Sequence, residues 1–363
     1  MDKRVYKVAL SMLPQIGPKK ARNLISYIGA LENVFTGNYD KLNKFPGLID
    51  ILKKNVTSEL INKAQKEVEY ADKYKIQILF YLDEDYPDRL RNYEDSPVVL
   101  FVKGNVDLNK KQQLAVVGTR SMTHYGEDNC KKLIENLKTN GYNPTIISGL
   151  AHGVDSCAHY TALNQSLPTV AVLGHGLNTI YPAANRGLAE NIIKNGALIT
   201  EFSSQSKINP SNFVRRNRII ASLSDAVVVV ESAKKGGSLL TAEYAIGYSK
   251  DVFTFPGRVG DKMNEGCNYL IKTNRAAMIE NTDDLVNGLR WKQQNVAKQK
   301  EIFPVLSDEE KLIVEVIQKQ ELINIDVISY QTKLPINKVM SILFNLEFNN
   351  IVKALPGRMY KLA

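Results

Sequence analysis

The chain is poor in the residues that build thiol chemistry. Three cysteines occur in 363 residues, and Cys130, Cys157 and Cys267 are scattered with no CxxC pair. That spacing excludes a disulfide framework and a thiol metal site, and it reads as three ordinary buried thiols of a cytoplasmic protein. No apolar run approaches the ~20 residues of a membrane span, and the opening stretch MDKRVYKVALSMLPQIG lacks a signal-peptide layout. No membrane partner is expected. His124, His152, His159 and His175 show no metal spacing and read as surface or turn residues. A Walker A lysine motif is missing, and GTRSMTHYG is not the GxGxxG of a dinucleotide site. Ser148 and Ser238 have no evident His/Asp partners, and no nucleophile elbow occurs. The expectation is a binding protein with no cofactor, no metal and no catalytic constellation, not an enzyme.

Charge is present but uneven. Within a formal net charge of +9, residues 1–80 hold 14 Lys and Arg against 8 Asp and Glu, and residues 290–305 hold 4 against 1. Residues 81–289 balance at 22 each and residues 306–363 at 7 each. A basic flank and linker suit a polyanion or a solvated surface. The neutral middle can hold a polyanion only through a focused patch.

Residues 1–75 read as a small helical domain with breaks at LPQIGPKK and KFPGLID, then a long helix from about Thr57. LPQIGPKKARNLISYIG has a helix–hairpin–helix (SAM-like) layout, with Gly17 allowing a tight turn and Ala21 close helix packing. Such an element either grips a phosphate backbone or only packs two helices. Residues 76–289 alternate strands with helices. The strands are IQILFYL, VVLFV, QLAVVG, PTIISG, TVAVLG, ALITE, DAVVVVE and DVFTFPG. Several are apolar without alternation, as parallel strands covered on both faces are. The fold class is α/β, an extended Rossmann-type doubly wound sheet. Residues 290–305 form a polar, basic linker. Residues 306–363 read as three short helices and a hairpin turning at LPGR, a winged-helix-like module. Its PINKVMSILFNLEFNN helix carries Lys338 against Glu347, too little positive charge for a DNA reader, so a protein-contact or regulatory role is expected.

Ligands of open α/β sheets bind beyond the carboxyl ends of the strands. There stand Gly118, Thr119 and Arg120, then Ser148, Gly149, Gly153 and Asp155. Two further turns hold Gly174, Gly176, Tyr181, Pro182 and Asn185, and Gly236, Gly237, Ser238, Thr241 and Glu243. Glycines admit close backbone approach, and each following helix offers free N–H groups and a positive dipole end. Four such turns on one edge outline a phosphate-binding groove. Arg120, Arg186, Arg215 and Arg218 are placed to track phosphates, with Phe213 or Tyr181 offering a ring for a base.

NFVRRNRIIASLS places Arg215, Arg216 and Arg218 just after a Ser211/Asn212 cap signal, in a first turn where cations are mildly unfavourable. At 3.6 residues per turn, Arg215 and Arg218 share a polar face with Ser211 and Ser222. Arg216 falls among Phe213, Ile219, Ile220 and Leu223. The expectation is that Arg216 is buried against a carboxylate, from Glu201, Asp225, Glu231 or Glu243, while Arg215 and Arg218 face an anion.

Taken with GTR at 118–120, SGLAHGVD at 148–155, GHGLNTIYPAAN at 174–185, ESAKKGGSLLTAEYA at 231–245 and FPGRVGDKMNEGCNYLI at 255–271, the arginine block resembles the DNA processing protein A family (DprA, or Smf). The resemblance covers about residues 95–290. It implies a sequence-independent single-stranded-DNA-binding protein, a homodimer through its Rossmann domain, that protects DNA taken up in natural transformation and loads the RecA recombinase. It puts a phosphate on Arg120 and the N–H groups of Gly118 and Thr119, and adds Ser148, Gly149, Arg216, Asn217 and Arg218. Val214, Gly236, His152 and Asn178 depart from the usual pattern, and His152 removes a fixed positive charge from its turn. GGSLLTAE also resembles the PGGxGTxxE loop of lysine-decarboxylase-like nucleotide phosphoribohydrolases, an enzyme alternative in which the glutamate is catalytic.

Overall fold

A computed structural model describes residues 2–293, apart from 38, 40, 41, 43 and 44, and residues 306–362, apart from 321, 322, 350 and 356. Most of the expected 290–305 linker lies outside the described residues. The chain divides into two compact units, Met1–Gln294 and Asn295–Ala363.

The first unit opens with four helices, α1 (Lys3–Met12), α2 (Pro18–Ile28), α3 (Pro46–Asn55) and α4 (Ser58–Lys73). Thr57 caps α4 by accepting the Leu60 N–H, as the sequence suggested. The turn before α2 differs from expectation. Gln15 takes the left-handed conformation, and Gly17 is an extended N-cap at φ −76°. Ala21 is buried between the helices.

A nine-stranded sheet follows, β1 (Gln77–Phe80), β2 (Val99–Gly104), β3 (Gln113–Val117), β4 (Thr145–Ser148), β5 (Thr169–Val172), β6 (Gly196–Thr200), β7 (Ala226–Val229), β8 (Asp251–Thr254) and β9 (Ala277–Met278). The spatial order is β1-β2-β6-β5-β4-β3-β7-β8-β9. All neighbours pair parallel except β1–β2 and β2–β6. All eight expected strands form, and β9 is additional. Between them run α5 (Asp88–Arg91), α6 (His124–Thr139), α7 (Val154–Asn164), α8 (Arg186–Lys194), α9 (Pro210–Leu223), α10 (Gly237–Gly247) and α11 (Glu265–Lys272), and α12 (Thr282–Gly288) follows β9.

The unalternating strands are explained by two covered faces. Ala115, Val117, Val227 and Val229 point into a core with Ile219, Ile220 and Leu223 of α9 and Ala242 and Ala245 of α10. Leu114, Val116, Ala226 and Val228 point the other way, onto Cys130, Leu133 and Ile134 of α6 and Ala158 of α7. The helical part has no separate core, since Val8, Leu24, Leu52 and Val68 pack with Phe80, Val99 and Phe101 of β1 and β2. A polar clasp adds to this contact. Buried Glu67 of α4 accepts the Ser204 N–H at 2.7 Å and its hydroxyl at 2.6 Å, and Gln205 donates to the Lys63 carbonyl.

The second unit holds α13 (Asp308–Gln318), β10 (Ile323–Asn324), α14 (Ile325–Thr332), α15 (Ile336–Phe348), β11 (Val352–Leu355) and β12 (Met359–Leu362). The three helices and the hairpin are as expected, with Gly357 at φ 86° in its turn. The short strand β10 is an addition that makes a sheet of order β10-β12-β11.

Candidate nucleic-acid interface

The chain steps outward from β3 through β4 and β5 to β6, then returns through α9 to β7 on the other side of β3, and a crevice opens where the order reverses. A cleft of about 500 Å³ lies there. The turn after β3 supplies Gly118, Thr119 and Arg120, and the turn before α10 supplies Gly236, Gly237 and Ser238. Phe213, Arg216 and Asn217 come from α9, Asp155 from α7 and Tyr181 from the segment after β5.

Arg120 is exposed, and among the described residues its guanidinium makes no hydrogen bond or ion pair. Its turn is held from below. Buried Glu231 accepts the Thr123 N–H at 2.8 Å and its hydroxyl at 2.7 Å, and the Glu231 carbonyl accepts the Thr119 N–H. Gly118 is needed because a Cβ there would stand 2.4 Å from Val154. Across the cleft, α10 starts at Gly237 behind Gly236, an N-cap with no side-chain bond, and nothing lies within 4 Å of a Cβ built on Gly237. The Leu239 N–H is donated to the Gly236 carbonyl, and among the described residues those of Gly237 and Ser238 have no acceptor and are open to an anion. Ser238 turns inward and donates its hydroxyl to Ser232 Oγ. Asn217 donates to the Gly237 carbonyl at 3.3 Å.

The arginines of α9 correct the expectation drawn from helical periodicity. Asn209 caps this helix and Pro210 is its first residue. Arg215, Arg216 and Arg218 therefore lie in the second and third turns, beyond the reach of the end dipole. Arg216 is buried, but none of the four candidate carboxylates pairs with it. Its Nη1 donates to the carbonyls of Gly149, at 2.7 Å, and of Val172, where β4 and β5 end. Burial lowers the guanidinium to about 10, and the neighbouring Asp155 carboxylate opposes that drop. Asp155 is itself raised by burial, against the pull of Arg216 and of the Ala151 and Gly149 N–H groups. Gly149 makes room, because a Cβ there would meet the guanidinium at 2.3 Å.

Arg218 does not face the groove. It is 5% exposed and pairs with Glu201 at 2.6 Å. Arg215 is half-exposed and reaches the same carboxylate oxygen at 2.7 Å. One of the four carboxylates foreseen for Arg216 thus serves Arg215 and Arg218.

Other expected residues divide in the same way. Ser148 is buried and donates to the Val116 carbonyl, and Gly149 contributes its carbonyl to Arg216. Asn185 is buried and donates to Leu150 O and Ser156 Oγ. Arg186 is exposed at the first position of α8, outside the cleft lining. His159 and His175 are wholly buried; His159 lies within α7, which corrects its reading as a surface or turn residue, and His175 lies in the bend after β5 but not at the surface; His124 and His152 are exposed. The rings of Tyr181 and Phe213 both border the cleft, 5.5 Å apart. Asp155 and Thr241 line the cleft, in turns that the sequence marked, and Ile220, read only as part of the apolar stripe of α9, lines it too. All three cysteines are buried and free. Among the described residues no cluster of three metal-ligating side chains occurs and no helix is long and apolar enough to cross a membrane.

Residues 77–290, the whole sheet and its helices, match the family model for DNA recombination-mediator protein A. Protein Smf of Escherichia coli is 37% identical over 295 residues, covering 77% of this chain and 75% of that protein. The structure of DNA processing protein A from Streptococcus pneumoniae aligns with a TM-score of 0.64 at 30% identity, over 79% of this chain and 98% of that one. That of Helicobacter pylori DNA processing protein A, described for its single-stranded DNA binding mode, aligns with a TM-score of 0.54 at 29% identity, over 60% and 96%. With a match spanning the entire Rossmann-type sheet, the chain belongs to the DNA recombination-mediator protein A family.

Proposed function

We propose that the cleft binds single-stranded DNA without sequence preference. In this reading the chain protects DNA taken up in natural transformation and loads the RecA recombinase onto it, as a homodimer through its Rossmann-type domain in the cytoplasm. One observation carries the DNA-binding reading. Exposed Arg120, unpaired among the described residues, and the open N-terminus of α10 flank one cleft whose floor holds the Arg216 charge and whose wall holds two rings. Phosphate binds through charge-assisted bonds and backbone N–H groups, and rings take bases regardless of identity. No element in the cleft is shaped to read base edges in a duplex groove.

The enzyme alternative is disfavoured by Glu243. The glutamate of GGSLLTAE is paired with Arg275 and does not line the cleft. The module after the linker supports a protein contact, since α15 presents exposed Met340, Phe344 and Phe348 and its Lys338 is paired with Glu309. The test is a gel shift with oligo-dT and with duplex across a salt series, beside a nucleoside-monophosphate hydrolysis assay. Tight, salt-steep binding of the single strand with no base release is expected. Flat salt dependence, duplex preference or base release would overturn the reading.

A further inference from the structure

His175 is a buried titratable residue that phosphate binding does not use. It sits in the GHG stretch after β5, wholly buried. Its Nδ1 lies 2.9 Å from the Gly176 carbonyl, so Nδ1 carries the proton. Its Nε2 accepts the backbone N–H of Tyr181 at 3.2 Å. One neutral tautomer satisfies both partners, since a proton on Nε2 would face another N–H group. Burial holds the imidazole below its usual range, which keeps the neutral form.

The ring also meets the aromatic wall. Its centroid is 6.3 Å from that of Phe213, edge to face at 63°. The flanking glycines have no room for a side chain, Gly174 because of this packing and Gly176 because of a neighbouring backbone. A Cβ at Gly174 would stand 2.8 Å from Phe213, and one at Gly176 2.3 Å from the Ser203 carbonyl. Thr200 Oγ1 donates to the His175 carbonyl at 2.8 Å and fixes the backbone. One buried imidazole therefore ties the backbone of Tyr181, half-exposed at the cleft mouth, to the underside of Phe213.

We infer that His175 is a positioning residue for base stacking, holding the rings of Tyr181 and Phe213 in the pose that accepts a nucleobase. The inference rests on the single-stranded-DNA reading of this cleft. It separates two parts of binding: phosphate contacts belong to Arg120 and α10, and the base contact depends on His175. An oligonucleotide of abasic sites keeps the phosphates and lacks the bases, so it measures the first part alone.

The experiment compares oligo-dT with an abasic oligonucleotide of equal length by fluorescence anisotropy, for the full chain and for His175→Phe and His175→Gln. Phe fills the space but accepts no hydrogen bond, whereas Gln can accept the Tyr181 N–H. The unsubstituted chain is expected to prefer oligo-dT by at least about fivefold, from stacking. His175→Phe should bring that ratio close to one while abasic affinity stays within about twofold, and His175→Gln should restore part of it. Tyr181→Ala should lower the ratio as well, and combining it with a His175 substitution should add little, because both act on one wall. If His175→Phe does not fold, the cycle of His175→Gln with Tyr181→Ala gives the same reading. A ratio unchanged by both His175 substitutions, equal loss for both oligonucleotides, or additive effects overturns the inference and leaves the DNA reading standing. A chain that binds neither oligonucleotide overturns both.

Discussion

Gly149→Ala tests the floor of the cleft with a single methyl group. A Cβ at this position would stand 2.3 Å from Nη1 of Arg216 and 2.5 Å from its Cζ and Nη2. The guanidinium cannot swing aside freely, because Nη1 is bonded to the carbonyls of Gly149 and Val172 in a site where Arg216 is 4% exposed. Overpacking a filled site costs about 1–3 kcal/mol, and losing one charge-assisted bond adds about 1.5–3 kcal/mol. A combined loss of roughly 2.5–6 kcal/mol lowers Tm by about 5–12 °C in a unit of this size, at ~2 °C per kcal/mol. Calorimetry reads the shift. In an Arg216→Ala background the methyl meets no guanidinium, and the same substitution should cost under about 0.5 kcal/mol. A cost that is equal with and without Arg216, or a Gly149→Ala protein melting within about 1 °C of the unsubstituted chain, would refute the placement of the guanidinium over Gly149.

Arg120→Ala should leave Tm nearly unchanged, since its side chain is exposed and unpaired among the described residues. Oligo-dT binding should weaken by about 1–3 kcal/mol, with a salt slope shallower by ~0.7; anisotropy across a salt series checks both. Arg218→Ala should do the opposite. It takes one of two cations from Glu201, whose side chain is 4% exposed, and should destabilise by about 1–3 kcal/mol. An Arg218→Ala protein that melts normally yet fails to bind DNA would return this residue to the groove. Truncation after Arg290 should leave oligo-dT affinity within about twofold, because the second unit lacks a basic recognition face. Equal affinity of isolated residues 306–363 and the full chain would contradict that.

The sheet was legible because parallel strands buried on both faces leave a strong trace, apolar runs that end in glycine. The cleft was legible for the same reason, as its turns sit at the ends of those runs. The α9 arginines were not. A helical wheel shows which residues share a face, but not what lies opposite that face. Arg216 shares the apolar stripe and meets two backbone carbonyls at the ends of β4 and β5. Carbonyls carry no residue identity, so no sequence pattern marks them as partners. Glu201, one of four carboxylates considered for Arg216, lies in the segment just after β6 and pairs instead with Arg215 and Arg218. The helix start was readable in Asn209–Pro210, where a capping side chain precedes a proline at the first helical position. Ser148 and Asn185 were placed in the right turns, but side-chain direction within a turn depends on neighbours that only the fold brings close.

The clasp between Glu67 and Ser204 bears on how this molecule opens. Segment 201–209 runs from β6 to α9 as a surface loop, the kind of element that usually opens alone at low free energy. Here its backbone N–H is held by a carboxylate 2% exposed on α4, within a core that the helices share with β1 and β2. The Ser204 amide can exchange its hydrogen only when that carboxylate lets go, which ties the loop to the opening of the helical layer. The entry to α9, and with it the floor of the cleft, thus belongs to the same cooperative unit as the amino-terminal helices.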